Sequence, residues 1–239
     1  MQFAAVCFAR EPECSRFHYE EKLLEKVIRS EIKMDAIDES LKKTTGYVEE
    51  NIQTISVEVV SSGIYTRWGR RSCPGSTEMV YEGFAAGGHY SHKGASSNYI
   101  CLPQDPIFDG DGRKASNINK VYGAEYETRS ATFQKNLYEE DVPCAVCRVI
   151  RRSVVMIPAR NACYSGWHTE YSGYLMSEYH DHEGNKELVC MDGNPEKAEG
   201  SDSGNQNGAL FYFAQAVCGS LKCPPYSENK ALTCVVCSK

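Results

Sequence analysis

Arg70-Arg71-Ser72-Cys73-Pro74-Gly75-Ser76-Thr77-Glu78-Met79-Val80-Tyr81-Glu82-Gly83-Phe84 is answered ninety residues later by Arg160-Asn161-Ala162-Cys163-Tyr164-Ser165-Gly166-Trp167-His168-Thr169-Glu170-Tyr171-Ser172-Gly173-Tyr174. Arg, Cys, Tyr and Gly recur in one register across the two stretches. The echo runs on: Cys101, Cys144 and Cys147 are followed at offsets of 89, 90 and 90 by Cys190, Cys234 and Cys237. His92 and Gly94 match His182 and Gly184, and Tyr122 and Ala124 match Tyr212 and Ala214. Each block closes on Cys-x-Val-Cys. Agreement at so many positions implies duplication of a single disulfide-bearing unit. A period near ninety is too long for a solenoid repeat, so two similar subdomains packed side by side are expected.

A chain of 239 residues is long enough for a substantial core. Charged residues at 24% and hydrophobic residues at 41% are ordinary for a soluble globular protein. The net charge of −6 argues against nucleic acid as a partner, because phosphate binding needs a basic surface. The 12 cysteines and their paired spacing point to disulfides and a secreted, extracellular location. Zinc fits less well, since the two Cys-x-x-Cys pairs lie ninety residues apart and each block brings two further cysteines. A thioredoxin-like role fits less still, because neither pair opens a helix in a βαβ pattern. No apolar run approaches the roughly eighteen residues needed to span a bilayer.

Residues 1–16 read as a signal-peptide remnant or an amino-terminal cysteine segment, with the apolar run Phe3–Ala9 lacking a basic start. Residues 17–56 contain no Pro and one Gly, with many Glu and Lys. Val27, Met34, Leu41, Val48 and Ile55 recur every seven residues, and the companion series Leu23, Ser30, Ile37, Thr44 and Asn51 is mixed. This is the seam of a coiled coil with polar positions that set register at some cost in stability. A docked amphipathic helix is the plainer alternative. A parallel homotrimer is expected, with Cys14, and Cys7 if retained, as candidates for interchain disulfides; a Cys7–Cys14 loop within the chain is the competing arrangement.

Strands and turns follow. Residues 57–152 are expected to form a first β-subdomain and 153–239 a second. Ile55–Val60, Arg148–Ile157, Leu210–Phe213 and Thr233–Cys237 are rich in residues that favour strands. Gly87-Gly88, Asp109–Gly112 and Asp192–Pro195 mark turns, and Glu196–Gly208 reads as a mobile polar surface loop. The fold class is therefore mainly β: tandem duplicated disulfide-rich subdomains after an α-helical coiled coil.

With these residues laid out, the body resembles the noncollagenous carboxy-terminal domain of type IV collagen. The likeness is closer still to the related domain of the short-chain, spongin-like collagens of invertebrates. The signature lies in Arg70-x-x-Cys73-Pro74-x-Ser76, Tyr81-x-Gly83-Phe84 and Cys144-Ala145-Val146-Cys147. In the second half it lies in Met156-Ile157-Pro158, Cys163-x-Ser165-Gly166-Trp167, Tyr171-x-Gly173-Tyr174 and Cys234-Val235-Val236-Cys237. The likeness covers residues 63 to 239. It implies the nested bridges Cys73–Cys147, Cys101–Cys144, Cys163–Cys237 and Cys190–Cys234, with the short loop Cys218–Cys223; the first half lacks the inner pair. It also implies trimers. No Gly-X-Y tract exists, so the chain forms no collagen triple helix, and the coiled coil stands in for it.

Candidate sites are few. His89, His92, His180 and His182 are the candidates for a divalent metal ion, and His180 and His182 would share one face of a strand. The alternative is a structural hydrogen bond common to His92 and His182. Asp109-Gly110-Asp111-Gly112 resembles a calcium loop but lacks its remaining ligands. Arg67, Trp68, Arg70 and Arg71 form a basic-aromatic cluster suited to acidic glycans or to cation–π packing. No catalytic constellation is found: there is no nucleophile elbow, and each body cysteine is expected to be oxidised. The expected role is a non-enzymatic structural or adhesive protein of matrix or mucus-type secretions. The alternatives are a trimeric lectin-like glycan-recognition protein of innate defence, made avid by multivalency, and a secreted metal-binding protein.

Overall fold

A computed structural model of the chain describes residues 11–58, 62–75, 77–94, 96–108, 118–129 and 132–239, with helix side chains described from 19 to 51. The expectations for Cys7, for a cleaved remnant ending at residue 9 and for Asp109–Gly112 lie outside the described residues, as does the side chain of Cys14. The chain divides after Val59 into two compact units.

The described residues of the first unit form one helix, α1 (Glu11–Glu58, 48 residues). Pro12 lies in its first turn, where a missing N–H costs nothing. The helix starts earlier and ends later than the expected 17–56. Ile55–Glu58, read from their β-branched residues as the start of a strand, are helical. Strand propensity is a weak prior that a continuing helix overrides. Side chains from Tyr19 to Glu50 are exposed throughout. Lys42–Asp38 (2.9 Å) and Lys43–Glu39 (3.2 Å) are paired one turn apart, and Thr44 and Thr45 return their hydroxyls to the Ser40 and Leu41 carbonyls.

The described residues of the second unit form ten strands: β1 (Gly63–Trp68), β2 (Glu78–Gly87), β3 (Ile100–Pro103), β4 (Tyr122–Tyr126), β5 (Pro143–Val149), β6 (Val154–Pro158), β7 (His168–Ser177), β8 (Val189–Asp192), β9 (Ala209–Phe213) and β10 (Thr233–Ser238). They form one sheet in the order β6-β10-β7-β8-β1-β5-β2-β4-β9, with β3 on β2. Because β9 also pairs with β7, the pairings from β7 round to β9 return on themselves. Arg148–Ile157, expected as continuous strand, breaks at residues 150–153 into β5 and β6.

Registers recur between the halves. β1 on β5 sets Tyr65 opposite Cys147, and β6 on β10 sets Val155 opposite Cys237. β2 on β5 aligns Gly83 with Cys144 and shifts register between Met79 and Tyr81. β7 on β10 aligns Gly173 with Cys234 and skips a residue at the same place. Ala85 opposes Cys101 as Leu175 opposes Cys190. Tyr81 donates its hydroxyl hydrogen to the Cys101 carbonyl at 3.0 Å, and Tyr171 does so to Cys190 at 2.9 Å. Two joints link the halves. β4 and β9 run parallel from Ala124/Ala209 to Tyr126/Phe211, and β1 meets β8 at Trp68 and Met191.

Among the described residues five disulfides are present: Cys73–Cys147, Cys101–Cys144, Cys163–Cys237, Cys190–Cys234 and Cys218–Cys223. These are the pairs that the resemblance implies. Each outer bridge spans 74 residues, worth about 4 kcal/mol on the chain-entropy argument. Trp68, Tyr99, Tyr126, Phe133, Met176, Met191 and Phe211 fill one core around the joint of the halves. Tyr65, Tyr171, Leu175 and Val236 fill the other, with Cys147, Cys190 and Cys234. The loop Glu196–Gly208 is tied down rather than free: the N–H of Ala198 donates to Asp141 O and that of Glu196 to Gly69 O.

Candidate functional site

The histidines gather at one end of the β4–β9 joint. His89 and His92 stack at 4.4 Å against Tyr122, and Tyr179 and His182 pack against Tyr212. The two groups meet where Tyr90 lies 4.7 Å from His182. Main-chain bonds hold this meeting together: Gly184 N–H donates to Tyr90 O (2.7 Å), and Tyr90 N–H donates to Gly208 O (2.9 Å). A Cβ at Gly184 would sit 2.1 Å from His89 O, so the approach needs glycine there.

Beneath the rings lies a buried acid. Glu178 accepts from His182 Nδ1 at 2.9 Å and from the Leu210 N–H at 3.2 Å. Burial pushes its carboxyl above the usual range, and the His182 hydrogen bond opposes that shift. Lys186, equally buried, stands 4.0 Å from Glu178 and donates to Gly184 O at 2.6 Å. Burial lowers its ammonium, with Glu178 opposing. His89 is held below the usual imidazole range by burial, His92 and Lys186. Burial and the charges of Glu127 and Glu178 push the Tyr212 phenol up to about 12. The main chains of His92 and His182 make the same turn bond, to His89 O (3.2 Å) and to Tyr179 O (3.1 Å), but their rings are held differently. His182 is anchored on Glu178, whereas the position ninety residues earlier is Gly88.

Among the described residues no three His, Cys, Asp or Glu side chains converge to hold a metal ion. Ser91 Oγ lies 3.0 Å from His89 Nδ1, but the Ser91 N–H points at the same nitrogen, which makes this a local turn. All ten cysteines from Cys73 onward are bridged. No helix among the described residues is long and apolar enough to cross a membrane.

The basic-aromatic cluster is spent on the β1–β8 joint. Arg67 forks onto Asp192 (2.7 and 2.8 Å), caps the Ser72 carbonyl and lies 5.7 Å from the Tyr171 ring. Trp68 is buried against Tyr99 and Phe211. Arg70 donates to Asn194 O, and Arg71 pairs with Glu199 at 2.7 Å. Sequence reasoning missed the second buried network. There Glu170 accepts from Arg151 at 2.7 Å, from Tyr65 at 3.1 Å and from Ser238. Its repeat counterpart is Val80, so only a break in the repeat could have flagged it.

No family model matches the chain, and no curated protein matches it.

Proposed function

We propose that this chain is a secreted, non-enzymatic structural or adhesive protein of matrix or mucus-type secretions, assembling as a parallel homotrimer. The observation that carries this reading is α1, whose seam residues Val27, Met34, Leu41 and Val48 are between 46% and 64% exposed along a 48-residue helix. An apolar stripe of this length is marginal in water without a partner. Charge favours a parallel partner. Lys26 and Lys33 flank one side of the seam and Glu31 and Asp38 the other. Parallel helices set each lysine against the acid five residues on in the neighbour, while antiparallel helices set lysine against lysine.

The shared registers and paired bridges support residues 57–152 and 153–239 as copies of one unit. In that reading the β1–β8 joint has a counterpart, β6 against β3, which stays open within one chain. Ile100 and Leu102 on β3 are 40% exposed, while Val189 and Met191, their counterparts on β8, are buried. At the end of β6 a cavity of about 550 Å³ is lined by Ile157, Pro158, Arg160, Tyr164 and Tyr226. It corresponds to the place in the first half where Asn194 and Glu196 dock on Arg70 and Gly69. The counterparts of those docking residues are Asp105 and Ile107, and Ile107 is 97% exposed. A second copy supplying its β3 edge, with Asp105 toward Arg160, fills the open joint. Repeated head to tail, this contact closes a ring.

Light scattering of the intact chain should give three times the chain mass at micromolar concentration. Met34→Asp with Leu41→Asp should weaken association, and Leu102→Arg should weaken it further. A monodisperse monomer of the intact chain would sink the reading.

A further inference from the structure

Glu125 in β4 is 2% exposed, yet its Oε2 has no hydrogen-bond partner. Its Oε1 accepts the Gln206 main-chain N–H at 3.2 Å. Asp141 is its antiparallel bridge partner. Residues directly opposed in such a pair turn their side chains to one face, with Cβ atoms about 5 Å apart. The Asp141 N–H donates to Ser201 Oγ at 2.8 Å, which fixes the start of the loop 201–207 beside Asp141. Burial raises the Asp141 carboxyl, and the charges of Asp202 and Glu140 raise it further. Among the described residues Glu125, Asp141 and Asp202 take part in no ion pair.

A buried carboxylate with an unpartnered oxygen beside a second carboxylate is strongly unfavourable unless a proton or a cation is supplied. The fold does not demand this arrangement. The same bridge in the second half joins Gln215 and Ala231, ninety residues on from each partner, and both are uncharged.

We propose that Glu125 and Asp141, covered by the loop 201–207, form a binding site for a calcium ion. The donors on offer are oxygens: two facing carboxylates, and the amides and carbonyls of the loop Ser201–Asn207. Such a set selects a hard cation. Calcium accepts six to eight oxygens in irregular geometry, whereas magnesium requires a near-ideal octahedron. The carboxylates fill two positions, and loop oxygens and water complete the shell. The site lies within one chain and does not depend on trimer formation.

The test uses the full chain, stripped with a chelator and followed by thermal unfolding and calorimetric titration at neutral pH. Calcium chloride at a hundredfold excess over Kd should raise the midpoint of the body on the order of 5 °C, and magnesium chloride far less. Glu125→Gln and Asp141→Ala, which copy the uncharged second-half residues, should unfold above the calcium-free parent and lose the calcium response. Should Glu125→Gln fail to fold, Asp141→Ala alone decides. No shift at millimolar calcium, or a response retained in either variant, overturns the proposal. A response that survives both and disappears in Asp109→Asn with Asp111→Asn would place the ion at 109–112 instead.

Discussion

Replacing Gly173 by alanine should be among the costliest single-methyl additions in the body. A Cβ at 173 would stand 1.8 Å from Met191 O and 2.6 Å from Gly193 N. Bringing the nearer contact to 3.0 Å requires β8 to retreat by ~1.2 Å. β8 has nowhere to go. All four of its residues are buried, Cys190 is bonded to Cys234, and Asp192 is clamped by Arg67. Overpacking of this kind costs about 1–3 kcal/mol, and two weakened ladder bonds add about 0.5–1.5 kcal/mol each. A loss of roughly 3–5 kcal/mol is expected. Gly83 provides the control, since its added Cβ would lie 1.7 Å from Leu102 O, the same obstacle. Within one chain, however, β3 pairs among the described residues only with β2, so with association removed by Met34→Asp and Leu41→Asp, Gly83→Ala should cost about 1–2 kcal/mol. Urea unfolding of the oxidised chain at fixed concentration, read by tryptophan fluorescence, measures both. Equal losses, or a Gly173→Ala variant within about 0.5 kcal/mol of the parent, would refute the reasoning.

Two further outcomes rest on buried charge. Burial raises the Glu170 carboxyl, but hydrogen bonds from Ser238, Arg151 and Tyr65 outweigh that and leave it below its ordinary value. A lowered folded pKa contributes stability above the unfolded value, near pH 4.5, that is lost as pH falls through the folded one. The stability gap between parent and Glu170→Gln should therefore be widest near pH 6 and shrink toward pH 3; a constant gap would count against the network. Arg67→Met leaves Asp192 buried without its cation and should cost about 3–5 kcal/mol in urea unfolding. Adding Asp192→Asn should recover part of it; a loss below about 1 kcal/mol would mean that the ion pair does not hold the joint.

The parts of the fold legible in the sequence were those repeated at a fixed offset. Cys73/Cys163, Tyr81/Tyr171 and Gly83/Gly173 announce strands, bridges and close approaches because each does the same physical work twice. Joints between the halves left no such trace. The β4–β9 pair and the Arg67–Asp192 fork bring together residues far apart in sequence, and no local period encodes a partner that distant. For the same reason Arg67 and Trp68 looked available for a ligand, although Asp192 holds the one and Tyr99 and Phe211 cover the other. Ile55–Glu58 misled in the other direction: β-branched residues fit the heptad seam as well as a strand, and the helix carried through them. Glu125 and Glu170 went unnoticed because each stands where its repeat counterpart, Gln215 or Val80, carries no charge.

The two outer disulfides have a mechanical consequence. Each encloses a loop of 74 residues, so tension applied between Val60 and Lys239 bypasses nearly all of the body. Only about thirty residues lie outside the two loops, enough for roughly 100 Å of extension at ~3.5 Å per residue, against about 600 Å for the unbridged body. Under load the body would yield a short length and then hold, transmitting force through covalent bonds while most of its sheet stays folded.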